Sequence, residues 1–279
     1  MALPRLIDIA LGNVALYQNR FEGKSDIEKT KVDELHESLN CCINMEMDTL
    51  HKMLLSRYKN RFDVCSERAG MSIDEFRKLP IKQQIDTICA NMSSENRVYG
   101  IRRVDFSNRF EDDLRQYYLA FNAGISAGNT KYGRCCAIVN TMPSMTDVLL
   151  KYDSLTHYYN DANEFNEDDC HKDMLPRDNT ALLLADKFSD QLTAVPVDDI
   201  KRTVENDPDP IEIMTTTIIN GSRVDAVVIS SDLYRYITFD LNKKGARGDL
   251  MDSKEKEDVQ NLERLQLELR RRGIILRIA

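Results

Sequence analysis

The sequence contains few of the residues that interrupt regular structure. Only 11 glycines and 7 prolines occur among its 279 residues. Sandwiches and barrels need a turn residue about every 8–12 positions, so this scarcity disfavours them and predicts that helix predominates. No apolar run approaches the ~18–20 residues of a membrane span, and the N-terminus lacks the basic region and cleavage site of a secretory signal. We therefore expect a cytoplasmic protein with no membrane partner.

Motifs that mark common active sites are also missing. The four histidines form no H-x-x-x-H pair and no C-x-x-C occurs, which disfavours structural zinc. There is no G-x-S-x-G motif that would mark a nucleophilic serine. The vicinal pairs Cys41-Cys42 and Cys135-Cys136 cannot readily close ordinary disulfides, so we expect reduced thiols. The sequence predicts no cofactor, no metal site and no defined catalytic set.

The composition is that of an acidic globular protein. Hydrophobic residues make up 42% of the chain, too many for a disordered protein and enough for a substantial core. There are 46 acidic and 38 basic side chains, for a net charge of −8, which argues against broad binding to phosphate backbones. At roughly 100–200 residues per domain, the length predicts two compact units.

We expect an α+β protein divided into three parts. Residues 1–160 form a mainly helical domain, and residues 179–279 form a small C-terminal α/β domain. Between them, residues 161–178 hold seven acidic side chains against Lys172 and Arg177, with no apolar period, which predicts a surface loop or linker.

One long amphipathic helix is predicted early in the chain. Ser25 and Glu28 form a capping box, and apolar residues then recur at spacings of three and four as far as about Arg57. This narrow stripe fits either packing within the chain or a coiled-coil partner. As a candidate partner interface it comprises Val32, Leu35, Leu39, Leu50 and Met53.

Local signals divide the middle of the chain. A second capping box at Ser72 begins a helix that Pro80 splits into Ile73–Leu79 and Ile81–Met92. Cys136–Val139 is predicted as a short buried strand. Pro143 is predicted to begin a helix with an apolar face made of Val148, Leu149, Tyr152, Leu155 and Tyr159.

Two basic clusters are interleaved with aromatic residues. The clusters are Arg57, Lys59 and Arg61 with Tyr58 and Phe62, and Arg97, Arg102 and Arg103 with Tyr99 and Phe106. Arginine and aromatic side chains together suit a nucleic-acid face. The net negative charge favours the alternative, an ordinary helix surface with ion pairs.

The C-terminal region has the strongest strand signals. Ile211–Ile219 and Arg223–Ser230 are rich in β-branched residues and flank Asn220-Gly221, which predicts a hairpin with a type I′ turn. Tyr234–Leu241 is predicted as a third strand. A helix over Ser253–Arg272 and a final strand over Ile274–Ile278 complete a β-β-β-α-β order.

The predicted hairpin register brings acidic residues together. Alternation along the strands puts Glu212, Asp225 and Asp240 on one face of the sheet, with diagonal neighbours about 7–8 Å apart. Carboxylates at that spacing can share a hard cation such as Mg²⁺. The alternative is that they are polar residues on a solvated face of the sheet.

Over residues 205–279 this arrangement resembles the core of the PD-(D/E)xK nuclease fold. The resemblance rests on Asp225 on one strand and Phe-Asp240-Leu-Asn242 on the next, followed by a helix and a strand. It implies that the two acids hold Mg²⁺. If the chain is a nuclease, we expect the basic loop residues Lys243, Lys244 and Arg247 to bind the phosphate backbone of nucleic acid. The family has a lysine two residues after the second acid, and this chain has Asn242 there, which cannot supply the positive charge.

Without a convincing catalytic set, the sequence favours a non-catalytic interaction or assembly subunit. Such a chain binds protein partners or itself, as a structural component of a larger complex such as a virus or phage particle. It would then be found in the cytoplasm or in the virion. The alternative is a metal-dependent nuclease or an inactivated relative, for which nucleic acid is a partner.

Overall fold

The computed structural model confirms a mixed α+β fold. It describes residues 5–108, 117–128, 132–155, 157–159, 164–247 and 250–279, apart from the side chains of residues 95 and 107. No helix in these ranges is both long enough and apolar enough to cross a membrane.

Within the described ranges, a mixed sheet of eight strands organises the molecule, in the order β5-β4-β6-β2-β1-β3-β7-β8. All neighbouring strands are antiparallel except β7 and β8. The strand bounds are β1 (Asn40–Met45), β2 (Tyr117–Asn122), β3 (Cys135–Val139), β4 (Val148–Leu150), β5 (Met174–Pro176), β6 (Glu212–Thr215), β7 (Val224–Ile229) and β8 (Ile275–Ile278).

Helices surround the sheet. They are α1 (Leu6–Glu22), α2 (Asp26–Ser38), α3 (Met47–Leu55), α4 (Arg61–Arg68), α5 (Ile73–Lys78), α6 (Ile81–Asn91), α7 (Ser94–Asn108), α8 (Glu167–Lys172), α9 (Thr180–Lys187), α10 (Ser189–Ala194), α11 (Val197–Asn206), α12 (Ser231–Arg235), α13 (Asn242–Ala246) and α14 (Ser253–Arg272). A π-helical segment, Tyr236–Leu241, joins α12 to α13.

The two faces of the sheet are covered differently. One face packs against α2, α3, α9, α10, α11 and α14 in the main hydrophobic core, which includes Ile43, Leu119 and Ile213. Helix α1 contributes to this core and to a cluster on the other face. The other face carries smaller clusters, one of them around Phe106 of α7. Helices α4–α7 also pack together around Phe62 and neighbouring side chains. Helix α7 therefore joins this bundle to the second face of the sheet.

Several local predictions are confirmed. Both predicted capping boxes form, at Ser25 with Glu28 and at Ser72 with Glu75. A helix break at Pro80 separates α5 from α6. The buried strand β3, the long helix α14 and the final strand β8 also form close to their predicted bounds.

The predicted third strand, Tyr234–Leu241, is wrong. These residues form part of α12 and the π-helical segment. Ser230 caps the helix by accepting a hydrogen bond from the backbone N–H of Leu233 at 3.3 Å. The segment contains β-branched and aromatic residues but is helical, because the cap and the packing against α14 stabilise a helix here. Strand propensity depends strongly on such context.

The predicted hairpin is also wrong, since β6 and β7 are not neighbours in the sheet. The Asn220 side chain accepts a hydrogen bond from the Ser222 N–H at 3.1 Å, which closes a local turn. A Cβ atom on Gly221 would lie 2.6 Å from the carbonyl oxygen of Leu54. The glycine is therefore required for close approach to α3, and the β-β-β-α-β order does not form.

Two predicted helices contain strands. The long helix through Leu39 and Leu50 is interrupted by β1, whose residues Cys41 to Met45 are nearly all buried. The helix predicted after Pro143 is replaced by β4 and a loop. In both places a buried strand has apolar residues on both faces, so the spacing by threes and fours is coincidental.

Strands from both predicted domains form the same sheet. Strand β6, from the predicted C-terminal domain, lies between β4 and β2. The predicted acidic linker contains α8 and β5, while its residues 161–163 lie outside the described part of the chain.

Candidate functional site

A cavity of about 250 Å³ lies where β2 and β6 stop pairing. Their pairing runs from Tyr117–Thr215 to Leu119–Ile213 and ends one residue before Glu212, which pairs instead with Leu150 on β4. The cavity walls come from β1, β2, α4, α7, the loop around Asp153, and the segment from the end of α11 to β6. We call it the Glu212 cavity.

Glu212 is a buried carboxyl group in the wall of the cavity. Its Oε1 accepts a hydrogen bond from Arg103 Nη2 at 3.1 Å, and its Oε2 accepts one from the Ser154 backbone N–H at 3.0 Å. Burial raises the pKa of Glu212 to about 7, Arg103 opposes this rise, and the charge of Asp153 adds to it. Both protonation states are therefore available near neutral pH.

Arg103 enters the cavity from α7. Its guanidinium carbon lies 3.1 Å from the centre of the Tyr118 ring, a cation–π contact with a residue on β2. One amino group pairs with Glu212. The other, Nη1, is buried and has no hydrogen-bond partner among the described residues.

Asp153 and Tyr132 form a second polar pair. The Tyr132 hydroxyl donates a hydrogen bond to Asp153 Oδ2, and the Leu155 N–H donates to Oδ1 at 2.7 Å. Burial, followed by the charge of Asp153, raises the pKa of Tyr132, so the phenol stays protonated. The Asp153 N–H donates to Asp209 Oδ1 at 2.7 Å, which holds this loop against the segment that leads into β6.

Glu205 lies at the end of α11 and is only 3% exposed. Its Oε1 accepts a hydrogen bond from the Ile125 N–H at 2.8 Å. Within the described ranges, Oε2 is buried and has no hydrogen-bond partner. The nearby Asp207 differs, because Lys187 pairs with it at 2.9 Å.

The two basic–aromatic clusters predicted from the sequence meet at this cavity. Tyr58, Arg61 and Phe62 approach from one side, and Tyr99 and Arg103 from the other. The guanidinium carbon of Arg61 lies 5.6 Å from the centre of the Tyr99 ring. Other members of the clusters form surface ion pairs, such as Lys59 with Glu67 at 2.8 Å.

The predicted three-carboxylate site does not form. Glu212 lies in the cavity on β6, whereas Asp225 is exposed on β7 and Asp240 is exposed in the π-helical segment. Three strands separate β6 from β7, a distance of about 19 Å at the usual strand spacing. The described ranges contain no group of three or more histidine, cysteine or acidic side chains that could hold a metal ion.

The predicted nucleic-acid residues lie elsewhere. Lys244 pairs with Glu255, in the capping box of α14, at 2.6 Å. The Lys243 ammonium lies 5.6 Å from the centre of the Phe239 ring, and Arg247 is exposed after α13. None of the three basic residues lines the Glu212 cavity.

The candidate partner stripe is inside the molecule. Val32, Leu35, Leu50 and Met53 are at most 1% exposed, and Leu39 is partly buried against the same core. Side chains with no exposed area cannot contact a partner. This prediction is therefore wrong, and the alternative of packing within the chain describes these residues.

Comparison with models of known protein families finds no match for this chain, and comparison with curated proteins also finds none.

Proposed function

We propose that the chain binds a small polar organic molecule in the Glu212 cavity and that Glu212 exchanges a proton with it. The observation that supports this is the convergence of ionisable side chains from α7, α11, β6 and the Asp153 loop on one cavity. Binding sites for small molecules commonly combine mostly apolar or aromatic walls with a few converging polar groups.

A purely structural role explains the arrangement less well. Buried polar groups lose their hydration, so proteins normally satisfy them with hydrogen bonds. In the described part of the chain, Arg103 Nη1 and Glu205 Oε2 are both buried without such partners. Both residues line the cavity.

The surroundings of Glu212 suit proton transfer. A general acid or base works best when its pKa lies near the working pH, and burial brings the pKa of Glu212 to about 7. Arg103 balances the charge of the ionised form. The Ser154 N–H fixes the orientation of the carboxyl group.

A thermal-shift screen of small metabolites would test the proposal. Compounds that stabilise the protein are then titrated by calorimetry in two buffers that differ in ionisation enthalpy. We expect the apparent binding enthalpy to differ between the buffers for the wild type, because a bound molecule that shifts the pKa of Glu212 makes the complex take up a proton from the buffer or release one to it. For Glu212→Gln, which keeps the shape of the side chain, we expect no such difference.

Two further variants locate the binding site. Ala120 lines the cavity, so Ala120→Phe should fill it and abolish binding. Asp225→Asn changes an exposed side chain outside it and should have no effect. Ligands that bind Ala120→Phe as tightly as the wild type would show that this cavity is not the site.

A second candidate function is self-association, as in the assembly subunit expected from the sequence. Strand β8 ends the described sheet, and Ile275 and Ile278 on it are 57% and 44% exposed. An edge strand presents backbone groups that can pair with another strand. A second copy of the same strand can meet it antiparallel about a two-fold axis, so we propose β8 of another copy as its partner.

Light scattering on the purified chain tests this second candidate. We expect a dimer that Ile275→Lys dissociates, because a charge on the edge strand opposes pairing. Met145→Lys is the matched control, since Met145 is 88% exposed away from this strand. A wild type that is monomeric, or a dimer that survives Ile275→Lys, would contradict pairing through β8.

A further inference from the structure

Glu205 is a buried carboxyl group for which the described part of the chain provides no counter-ion. It is 3% exposed and accepts one hydrogen bond from the described residues, from the Ile125 N–H at 2.8 Å. The neighbouring acids are better satisfied: Glu212 pairs with Arg103, Asp207 pairs with Lys187, and Asp153 accepts two hydrogen bonds. A buried acid normally has an opposite charge or several hydrogen bonds.

The unpartnered groups of the cavity define what a ligand must offer. Glu205 lines the cavity without a counter-ion among the described residues and favours a positive donor there, while the guanidinium of Arg103, which also lines it, favours a negative or carbonyl oxygen. Among the described residues, four acidic side chains and two arginines line the cavity, which favours a ligand cation over a second anion. The aromatic walls also favour a cation.

We propose that the molecule bound in the Glu212 cavity is a small amino acid, whose ammonium group lies against Glu205 and whose carboxylate accepts from Arg103. Amino acids are the smallest common molecules that carry both groups. This inference rests on the proposed binding function and specifies its ligand class. It gives Glu205 and Arg103 opposite roles: one recognises the amine and the other recognises the acid.

The test uses matched ligands on the wild-type chain of 279 residues. The standard amino acids are compared with the corresponding amines, which lack the carboxylate, and the corresponding acids, which lack the amine. We expect at least one amino acid to bind, and removal of either group to weaken its binding roughly ten-fold or more, as for loss of a charged hydrogen bond. This comparison needs no variant.

Two variants assign the groups. Glu205→Gln should lower affinity for the amino acid roughly ten-fold or more and leave the weak affinity for the acid analogue unchanged. Arg103→Met should lower affinity for the amino acid and leave that for the amine unchanged. Circular dichroism checks that each variant is folded. If a variant is not folded, the ligand series on the wild type alone tests whether an amino acid binds through both its amine and its carboxylate.

The outcomes separate the two proposals. If the best ligands of the metabolite screen lack an amine and their binding is lost in Ala120→Phe, the cavity binds small molecules but the ligand class is wrong. If amino acids bind equally well to the wild type and to folded Glu205→Gln, the assignment of Glu205 is wrong. If no compound of any class binds the wild type, both proposals fail.

Discussion

Among single residues, Glu212 gives the molecule a defined dependence on pH. Its pKa is raised from an ordinary value of 4.5 to about 7 in the folded state, chiefly by burial. Between these values the folded state binds a proton that the unfolded state has lost. The contribution of Glu212 to the free energy of unfolding therefore decreases by up to about 3 kcal/mol as pH rises through this range. Outside this range, the contribution does not change with pH.

The first prediction compares wild type with Glu212→Gln, which cannot ionise. The free energy of unfolding is measured by urea titration from about pH 5 to about pH 8. Over this range, that of the wild type should fall by up to about 3 kcal/mol relative to that of the variant. Asp225→Asn is the control, since Asp225 is exposed and should leave the wild-type pH dependence unchanged. If the free energy of unfolding depended on pH in the same way for the wild type and Glu212→Gln, Glu212 would not be buried as the structure shows.

The second prediction concerns Gly133, which leads into β3 beside the cavity. Its φ is +141°, and a Cβ atom there would overlap the backbone N, Cα and C atoms of Met45 on β1. Gly133→Ala should therefore lower the free energy of unfolding by about 3 kcal/mol, through strain and displacement of strand backbone.

Gly12 provides the matched control for Gly133. It lies within α1, and a Cβ atom there meets no other atom within 4 Å. Gly12→Ala should raise the free energy of unfolding by up to about 1 kcal/mol, because alanine is the better helix former. Thermal melts of both variants would check that one substitution stabilises the protein and the other destabilises it. Stabilisation by Gly133→Ala would contradict the close approach of Gly133 to the backbone of β1.

The sequence indicated part of the candidate site. The interleaved arginines and aromatics identified Arg61 and Arg103, but as helix surface or a nucleic-acid face. Glu212 was selected for a wrong reason, a hairpin that does not form. Glu205 carried no local signal, because its importance depends on which distant segment, here Ile125, meets the end of α11.

At the scale of elements, helix α14 was predicted well because its signals are local. Its apolar stripe faces the core as expected, with Leu262, Leu265 and Leu269 buried. Gly273 ends it in the left-handed conformation with φ of +70°. Such caps and periodicities involve residues within about four positions of each other, so the sequence displays them directly.

The third prediction uses two leucines of this helix. Leu265 is 0% exposed, and Leu265→Ala should lower the free energy of unfolding by about 3 kcal/mol, since it leaves a cavity against α3 and the sheet. Leu267 is 70% exposed, and Leu267→Ala should change it by no more than about 0.5 kcal/mol. Urea titration of both variants measures the difference, and equal losses would mean that the helix is rotated from its described position.

The strands were predicted less well because their environment is set by distant pairing. Strand β1 lies between β2 and β3, and all three are largely buried. Buried central strands are apolar on both faces and lose the alternation that identifies strands in a sequence. Tyr234–Leu241 shows the converse, a segment with strand-forming residues that becomes helical after the Ser230 cap.

At the scale of the whole molecule, the sheet links the two ends of the chain. From β4 to β8 its order is one strand from the first 160 residues (β4), one from the last hundred (β6), three from the first 160 (β2, β1 and β3) and two from the last hundred (β7 and β8). Strand β7 has β3 as its antiparallel neighbour, and β6 has β2 and β4. The last segment therefore obtains most of its backbone pairing from the first, apart from β7 with β8.

The fourth prediction follows from this interleaving and tests the two-domain expectation. Expressed alone, residues 179–279 should show no cooperative thermal transition by circular dichroism, because β6 and β7 would lose every antiparallel neighbour they have in the full sheet. The full chain should unfold in a single transition. Co-expression of residues 1–178 with residues 179–279 is the control, since the two fragments together can rebuild the sheet and should regain a cooperative melt. A fragment 179–279 that melts cooperatively by itself would show that the C-terminal unit folds independently and that its pairing with β2, β3 and β4 is a docking of two domains.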